Sequence, residues 1–279
     1  MNNTFSFNRF KNLLVSDCKK YIRNFSTMLI VFCSLPAVFW IFNLLFGSTT
    51  DGSVRFVFIC IVVAIAMLLV PSKVYGKSNL SREGIGFVML PASSLEKFIS
   101  MFIYCAIVTP ILVFFGSYLV DAFLSVFPFG GFEKPIHIYT INDLFRMISD
   151  SEGAIQMDDM AYPFDKIMPV GMMRTSLYLS IIQWAAVFML GNMLFKKHKA
   201  GKTFACYLGI SYVFSMIVGG VIFANSDRIE QWLDRFSDLP TEEMIHMLHV
   251  ATIWCMVIGI AITALLLFFT YRKIQTQKY

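Results

Sequence analysis

Apolar residues run along this chain in six long blocks separated by short polar segments. No Asp, Glu, Lys or Arg occurs within 24–50, 56–72, 98–120, 175–195, 203–226 or 244–271. At about 1.5 Å of rise per helical residue, each block reaches across, or nearly across, about 30 Å of hydrocarbon. The pattern predicts an all-α, polytopic membrane protein forming one transmembrane domain over 1–279, with spans near 27–46, 54–70, 98–120, 175–195, 203–224 and 248–270. Outer loops 121–174 and 225–247 separate spans three from four and five from six. Pro36 and Pro110 fall inside spans, where a missing N–H predicts kinks, and Pro71 is expected to close the second span. Arg55 is expected to snorkel to the outer surface.

Ahead of the first span, FSFNRFKNLLVSDCKKYIRNF repeats Phe7, Phe10, Leu14, Tyr21 and Phe25 at helical spacing, with Lys11, Lys19, Lys20 and Arg23 mostly off that stripe. This predicts an amphipathic N-terminal helix lying in the inner interface. In the second outer segment, DRIEQWLDRF and TEEMIHML predict two short amphipathic helices, the latter capped by Thr241 with Glu242 and Glu243 in its first turn.

Composition sharpens the class. The chain is 57% hydrophobic and 15% charged, against about 45–50% and about 25% in soluble domains. A disordered, collagen-like or disulfide-stapled secreted chain is excluded. Sixteen of the 23 bases lie in 1–26, 73–97, 196–202 and 272–279, whereas 15 of the 18 acids lie in the other polar segments. The positive-inside rule then predicts both termini in the cytoplasm; the expected location is the cell's inner membrane, as a multi-pass protein. The net +5 is an inner basic belt facing the anionic lipid bilayer, not a nucleic-acid footprint. Cys33, Cys60, Cys105, Cys206 and Cys255 fall inside spans and Cys18 on an inner segment, so no disulfide framework is expected. No small-residue cleavage site follows the first apolar run, and no removable signal peptide is expected.

Candidate chemistry is sparse. GKT at Gly201–Thr203 lacks the earlier glycine of a phosphate loop, Lys196 standing in its place, and lies at a membrane-edge turn. His246 and His249, three apart, join His137 and Met147, Met157, Met160, Met168, Met172 and Met173 on outer segments, in a spacing that matches no metal signature. The charge-free blocks hold no carboxylate, which argues against proton-coupled transport and against intramembrane acid–base catalysis. No catalytic constellation, metal site or cofactor is therefore expected on this chain. Asn43, Gln183 and Asn192 are the interior polar candidates, with helix–helix hydrogen bonding as their simplest role. Ser211, Ser215 and Gly219 form one small-residue ladder, and Ala251, Cys255, Gly259 and Thr263 another; both suit helix packing or a dimer seam.

The inner stretch 73–97 carries the most informative motif. In MLPASSLEKF, Met89–Phe98, Pro91 interrupts the backbone, Ser93 or Ser94 can cap, and Glu96 falls in the first turn of the helix that continues as span three. Six spans, both ends inside, an amphipathic lead and this loop together resemble permease subunits of the type-2 ABC exporter group. The loop itself resembles that of small permease-like membrane proteins of the group, many from Bacteroidota. The resemblance implies a membrane permease that pairs with itself or a similar permease and with a separate cytoplasmic ABC ATPase, which holds ATP and Mg and performs the hydrolysis. Pro91, Ser93, Ser94, Glu96 and Lys97 would couple the two, Glu96 as a rim charge. The long 121–174 loop departs from the group and goes with a second reading, a sensor or accessory subunit binding a ligand or partner through its acidic outer loops.

Overall fold

The computed structural model describes residues 5–47, 50, 52–79, 84–127, 132, 136, 156–157, 160–161, 169–226, 228, 230–231 and 241–276. Its helices are α1 (Phe7–Phe46), α2 (Gly52–Val74), α3 (Ile85–Val88), α4 (Ser94–Phe102), α5 (Thr109–Leu124), α6 (Val170–Leu194), α7 (Lys199–Ala224) and α8 (Thr241–Gln275). A 3-10 turn, Gly76–Asn79, follows α2, and a π segment, Ile103–Val108, joins α4 to α5 without a break. Strands β1 (Gln156–Met157) and β2 (Met160–Ala161) pair antiparallel. Among the described residues, six helical segments are long and apolar enough to cross a membrane, α4 to α5 counting as one. This is a multi-pass helical membrane protein.

Several element ends differ from the sequence pattern, each for a local reason. Residues 7–25 are not a separate helix: α1 runs unbroken for 40 residues, about 60 Å at the helical rise. No glycine or proline interrupts it before Pro36. Of the expected stripe, Tyr21 and Phe25 are buried, Phe10 and Leu14 half-buried and Phe7 exposed, and Leu13 and Asp17 complete the buried face. Gly47 ends α1 at φ 62° and returns its N–H to the Asn43 carbonyl, the left-handed termination that glycine adopts without Cβ strain. Pro71 does not close α2, which continues to Val74. The expected outer helix at 241–247 is the start of α8 itself, with Thr241 its first residue. In span three, Pro110 supplies no N–H, and the preceding turn widens so that the Thr109 N–H reaches the Tyr104 carbonyl five residues back.

The chain divides into two compact units. The first comprises Met1–Asn142, Ser180–Thr203 and Thr263–Tyr279; its core is α1, α2 and the α4–α5 segment, with Ala185, Ala186, Phe188, Met189 and Met193 of α6 also buried. Phe39 stacks on Phe58 with centroids 4.9 Å apart, Phe56 meets Phe114 edge-on at 6.2 Å, and Tyr21 lies 5.6 Å from Tyr104. In lipid, such contacts stabilise by close packing and hydrogen bonding rather than by escape from water. Ser117 Oγ accordingly donates to the Phe32 carbonyl at 3.4 Å, and the Tyr21 hydroxyl meets Thr109 Oγ1 at 3.2 Å.

The second unit comprises Asp143–Leu179 and Phe204–Ile262. Every residue from Phe204 to Ala224 is exposed, so this stretch of α7 turns apolar side chains outward on all sides. Within the same unit, a Cβ added at Gly259 of α8 would stand 3.2 Å from Leu179 of α6.

Charge closes one end of the first unit. Arg55 does not snorkel: it is 1% exposed, and its Nη1 lies 3.2 and 3.3 Å from the two carboxylate oxygens of Asp121. The Phe132 ring covers the guanidinium at 4.2 Å, and the Ile136 N–H donates to Asp121. At the other end of the unit, α6 and α7 meet at Gly191, where a Cβ would stand 2.6 Å from Thr203 Cβ.

Two outcomes follow for the protein in micelles. Arg55→Met leaves a buried carboxylate unpaired and lowers unfolding stability by about 3–5 kcal/mol, whereas Arg55→Met with Asp121→Leu recovers most of it. Two additive losses in denaturant titrations would show that the pair is not coupled. Gly191→Ala costs about 1–3 kcal/mol by overpacking. Adding Thr203→Gly should restore part of that loss; no recovery in thermal melts would remove the close approach as its cause.

Candidate functional site

The structure concentrates polar side chains in the first unit where the starts of α1 and α4 meet the end of α2. Ser93, extended at φ −68° and ψ 158°, is the N-cap of α4: its Oγ accepts the Glu96 N–H at 3.2 Å while Glu96 Oε2 accepts the Ser93 N–H at 2.8 Å. This is a complete capping box. The other oxygen, Oε1, accepts the N–H of Ser6 at 2.8 Å, and Ser6 is the N-cap of α1. One carboxylate thus takes the N-cap amide of two helices, one on each oxygen. Arg9 Nη2, 3.3 Å away, adds a cation.

One turn along α4, Ser100 reaches a second buried carboxylate. Asp17, 1% exposed on α1, accepts Ser100 Oγ at 2.6 Å and the Tyr75 hydroxyl at 3.2 Å on Oδ2, and Lys20 Nζ at 2.9 Å on Oδ1. Burial, together with the Asp17 charge, pushes the Tyr75 phenol well above its ordinary pKa, so it stays a proton donor here. Tyr104 extends the contact, its hydroxyl donating to the Leu14 carbonyl at 2.9 Å. From the α6–α7 side of this unit, Asn192 donates to the Tyr75 carbonyl at 3.3 Å and Lys199 Nζ to the Gly76 carbonyl.

The geometry revises the sequence-based site. Glu96 is not a rim charge: it is fully buried and committed to two helix starts. Lys97 is also buried, with its ammonium 5.3 Å from the Phe87 ring centre. Ser93 is buried and Ser94 half-buried, whereas Pro91 is exposed, as are Met89 and Leu95 beside it. The charge-free blocks hold no carboxylate, yet the helices that contain them do, because α1 and the α4–α5 segment extend beyond those blocks to Asp17, Glu96 and Asp121.

Of the interior polar candidates, Asn43 is buried and donates to Thr50 Oγ1, Asn192 binds the Tyr75 carbonyl, and Gln183 is half-buried on α6. Ser211, Ser215 and Gly219 are exposed on α7 and Ala251 and Cys255 on α8; Gly259 faces Leu179 and Thr263 is buried. Gly201–Thr203 lies in the helical start of α7, with Thr203 Oγ1 donating to the Lys199 carbonyl at 2.7 Å. His246 and His249 lie on α8, and among the described residues no three His, Cys, Asp or Glu side chains gather as metal ligands. His137, Met147 and Met168 lie outside the described residues.

Sequence reasoning missed Asp17, Tyr75 and Ser100 as one cluster. A signal existed for Asp17: it is the only acid in 1–26, a segment with five bases, and it is spaced four from Leu13 and Tyr21. No protein-family model, curated protein or solved structure matches the chain. Its class, a multi-pass helical membrane protein, therefore rests on its own residues.

Glu96→Ala should lower stability in micelles by about 1–3 kcal/mol, since it strips a capping box and the amide of a second cap. Arg9→Ala, at the half-exposed partner, should cost at most about 1 kcal/mol. Equal losses in denaturant titrations would make the ion pair, not the two caps, the dominant interaction.

Proposed function

We propose that this chain is the membrane-spanning permease subunit of an ATP-driven exporter of the type-2 ABC group, set in the cell's inner membrane with both termini in the cytoplasm. In this reading it pairs with itself or a similar permease and with a separate cytoplasmic ATPase that holds ATP and Mg. The observation that supports it is the joint between the starts of α1 and α4. Glu96 binds both helix starts, and Asp17 binds α1 to Ser100 and Tyr75 one turn further in. A force applied at Met89–Leu95 would then move α1 and the α4–α5 segment together instead of bending a loop.

The contact surface differs from the one drawn from sequence. The exposed side chains are apolar, Met89, Pro91 and Leu95, and the charges behind them serve the fold. Docking is therefore assigned to those three residues, and Glu96 and Lys97 become positioning residues. The acidic outer segments behind the sensor or accessory reading lie largely outside the described residues, and nothing in the structure favours it.

The test is co-purification and ATP turnover. With the chain and its candidate ATPase expressed together, wild type should retain the ATPase, and Met89→Glu with Leu95→Glu should reduce retention and turnover at least tenfold at equal membrane expression. An unchanged yield and turnover would remove this surface from coupling, and failure of the wild type to retain any ATPase would remove the exporter reading itself. A reporter fused after Tyr279 should be cytoplasmic and one inserted near Glu152 external; both on one side would sink the six-span topology.

A further inference from the structure

Two adjoining cavities open beside the joint, within the first unit. One, of about 290 Å³, is bordered by Lys20, Arg23 and Lys77, with Tyr75 and Ser78 as polar lining and Phe87 and Leu90 as apolar wall. The other, of about 490 Å³, is bordered by Lys73, Lys77, Lys196, His198 and Lys199, with Leu69 and Ala200 among its apolar lining. Lys77 borders both. Among the described residues no Asp or Glu lines either cavity. The nearby Asp17 carboxylate is buried and held by Lys20, Ser100 and Tyr75.

The arrangement is more than a basic rim. Lys77 lies in the Gly76–Asn79 turn, whose position is set by buried side chains from another part of the unit. Lys199 Nζ donates to the Gly76 carbonyl, Asn192 to the Tyr75 carbonyl, and Ser78 Oγ lies 3.9 Å from Met193 Sδ. The turn is thus fixed before any ligand arrives, which lowers the ordering cost of binding. Arg23, Lys73, Lys77, Lys196 and His198 are exposed around it. Basic pockets between helices at a membrane edge suit phosphate headgroups, and the apolar walls suit the first carbons of attached chains.

We propose that these paired cavities bind a ligand carrying two phosphate groups, one in each cavity, with Lys77 between them. The chemistry fits the headgroup of a diphosphate lipid, whose phosphates are separated by a glycerol, and equally a soluble bisphosphate with its phosphates on different carbons. The site does not depend on the exporter reading, and its test reads no transport.

The experiment uses the full chain in neutral detergent, titrated separately with cardiolipin, phosphatidylcholine and fructose 1,6-bisphosphate, with binding followed by native mass spectrometry and by thermal melting. Cardiolipin should bind at least tenfold tighter than phosphatidylcholine and raise the melting temperature. Lys77→Gln with Lys196→Gln should weaken binding about tenfold, as should Arg23→Gln with Lys73→Gln. Lys11→Gln with Lys19→Gln removes the same charge from exposed positions of α1 that line neither cavity, and should leave binding unchanged. Binding of the bisphosphate with the same variant pattern, and no preference for cardiolipin, would assign the site to a soluble ligand. Equal losses from all three variant pairs, or no binding of either phosphate probe, would overturn the proposal. Ligand-free melts of every variant establish that the fold is intact, since all six lysines and arginines changed are exposed.

Discussion

The Glu96 carboxylate is the point on which the arrangement of the first and third spans depends. A helix begins with N–H groups that its own carbonyls cannot reach, and at a membrane edge water and side chains must serve them. Here one buried side chain receives the N-cap amides of both α1 and α4. Once those starts are joined, the spacing along α4 carries Ser100 to Asp17, and Asp17 gathers Tyr75 from the end of α2. Three segments remote in sequence are brought together by two carboxylates.

The opposite end of the same unit uses the same device with different partners. Arg55 near the start of α2 and Asp121 near the end of α5 neutralise each other, and Phe132 covers the guanidinium. Between these ends, contacts are aromatic and close-packed. A buried ion pair contributes little net stability, but the loss of one partner is costly. Its role here is therefore to fix how α2 and α5 are aligned along their length.

Much of the architecture was legible because a bilayer leaves few options: charge-free runs of this length must be helices with their hydrogen bonds satisfied internally. That logic located the six long apolar helices found among the described residues. It was silent on where the helices end, because Asp17, Glu96 and Asp121 look like loop residues when charge marks the boundaries. Each is tolerated inside a helix because a partner from elsewhere in the chain accompanies it: Tyr75 and Ser100, Ser6 and Arg9, or Arg55. The capping pattern at Ser93 and Glu96 was visible, since it is local. The second cap on the same carboxylate was not, because Ser6 lies 90 residues away.

The π segment at Ile103–Val108 has the form of one surplus residue inserted in an otherwise regular helix. Each α-helical residue turns the chain by about 100°, so one residue too many or too few reorients everything beyond it. Glu96 and Ser100 lie before the insertion, and Ser117 and Asp121 after it. The two halves of this span thus present separately chosen faces, the first to the Asp17 cluster near the start of α1, the second to Phe32 further along α1 and to Arg55 of α2. Were the segment to relax to regular α-helix, Asp121 would swing out of reach of Arg55 while Glu96 stayed in place. A span built this way is a phase-shifted rod, each end keyed to its own partners.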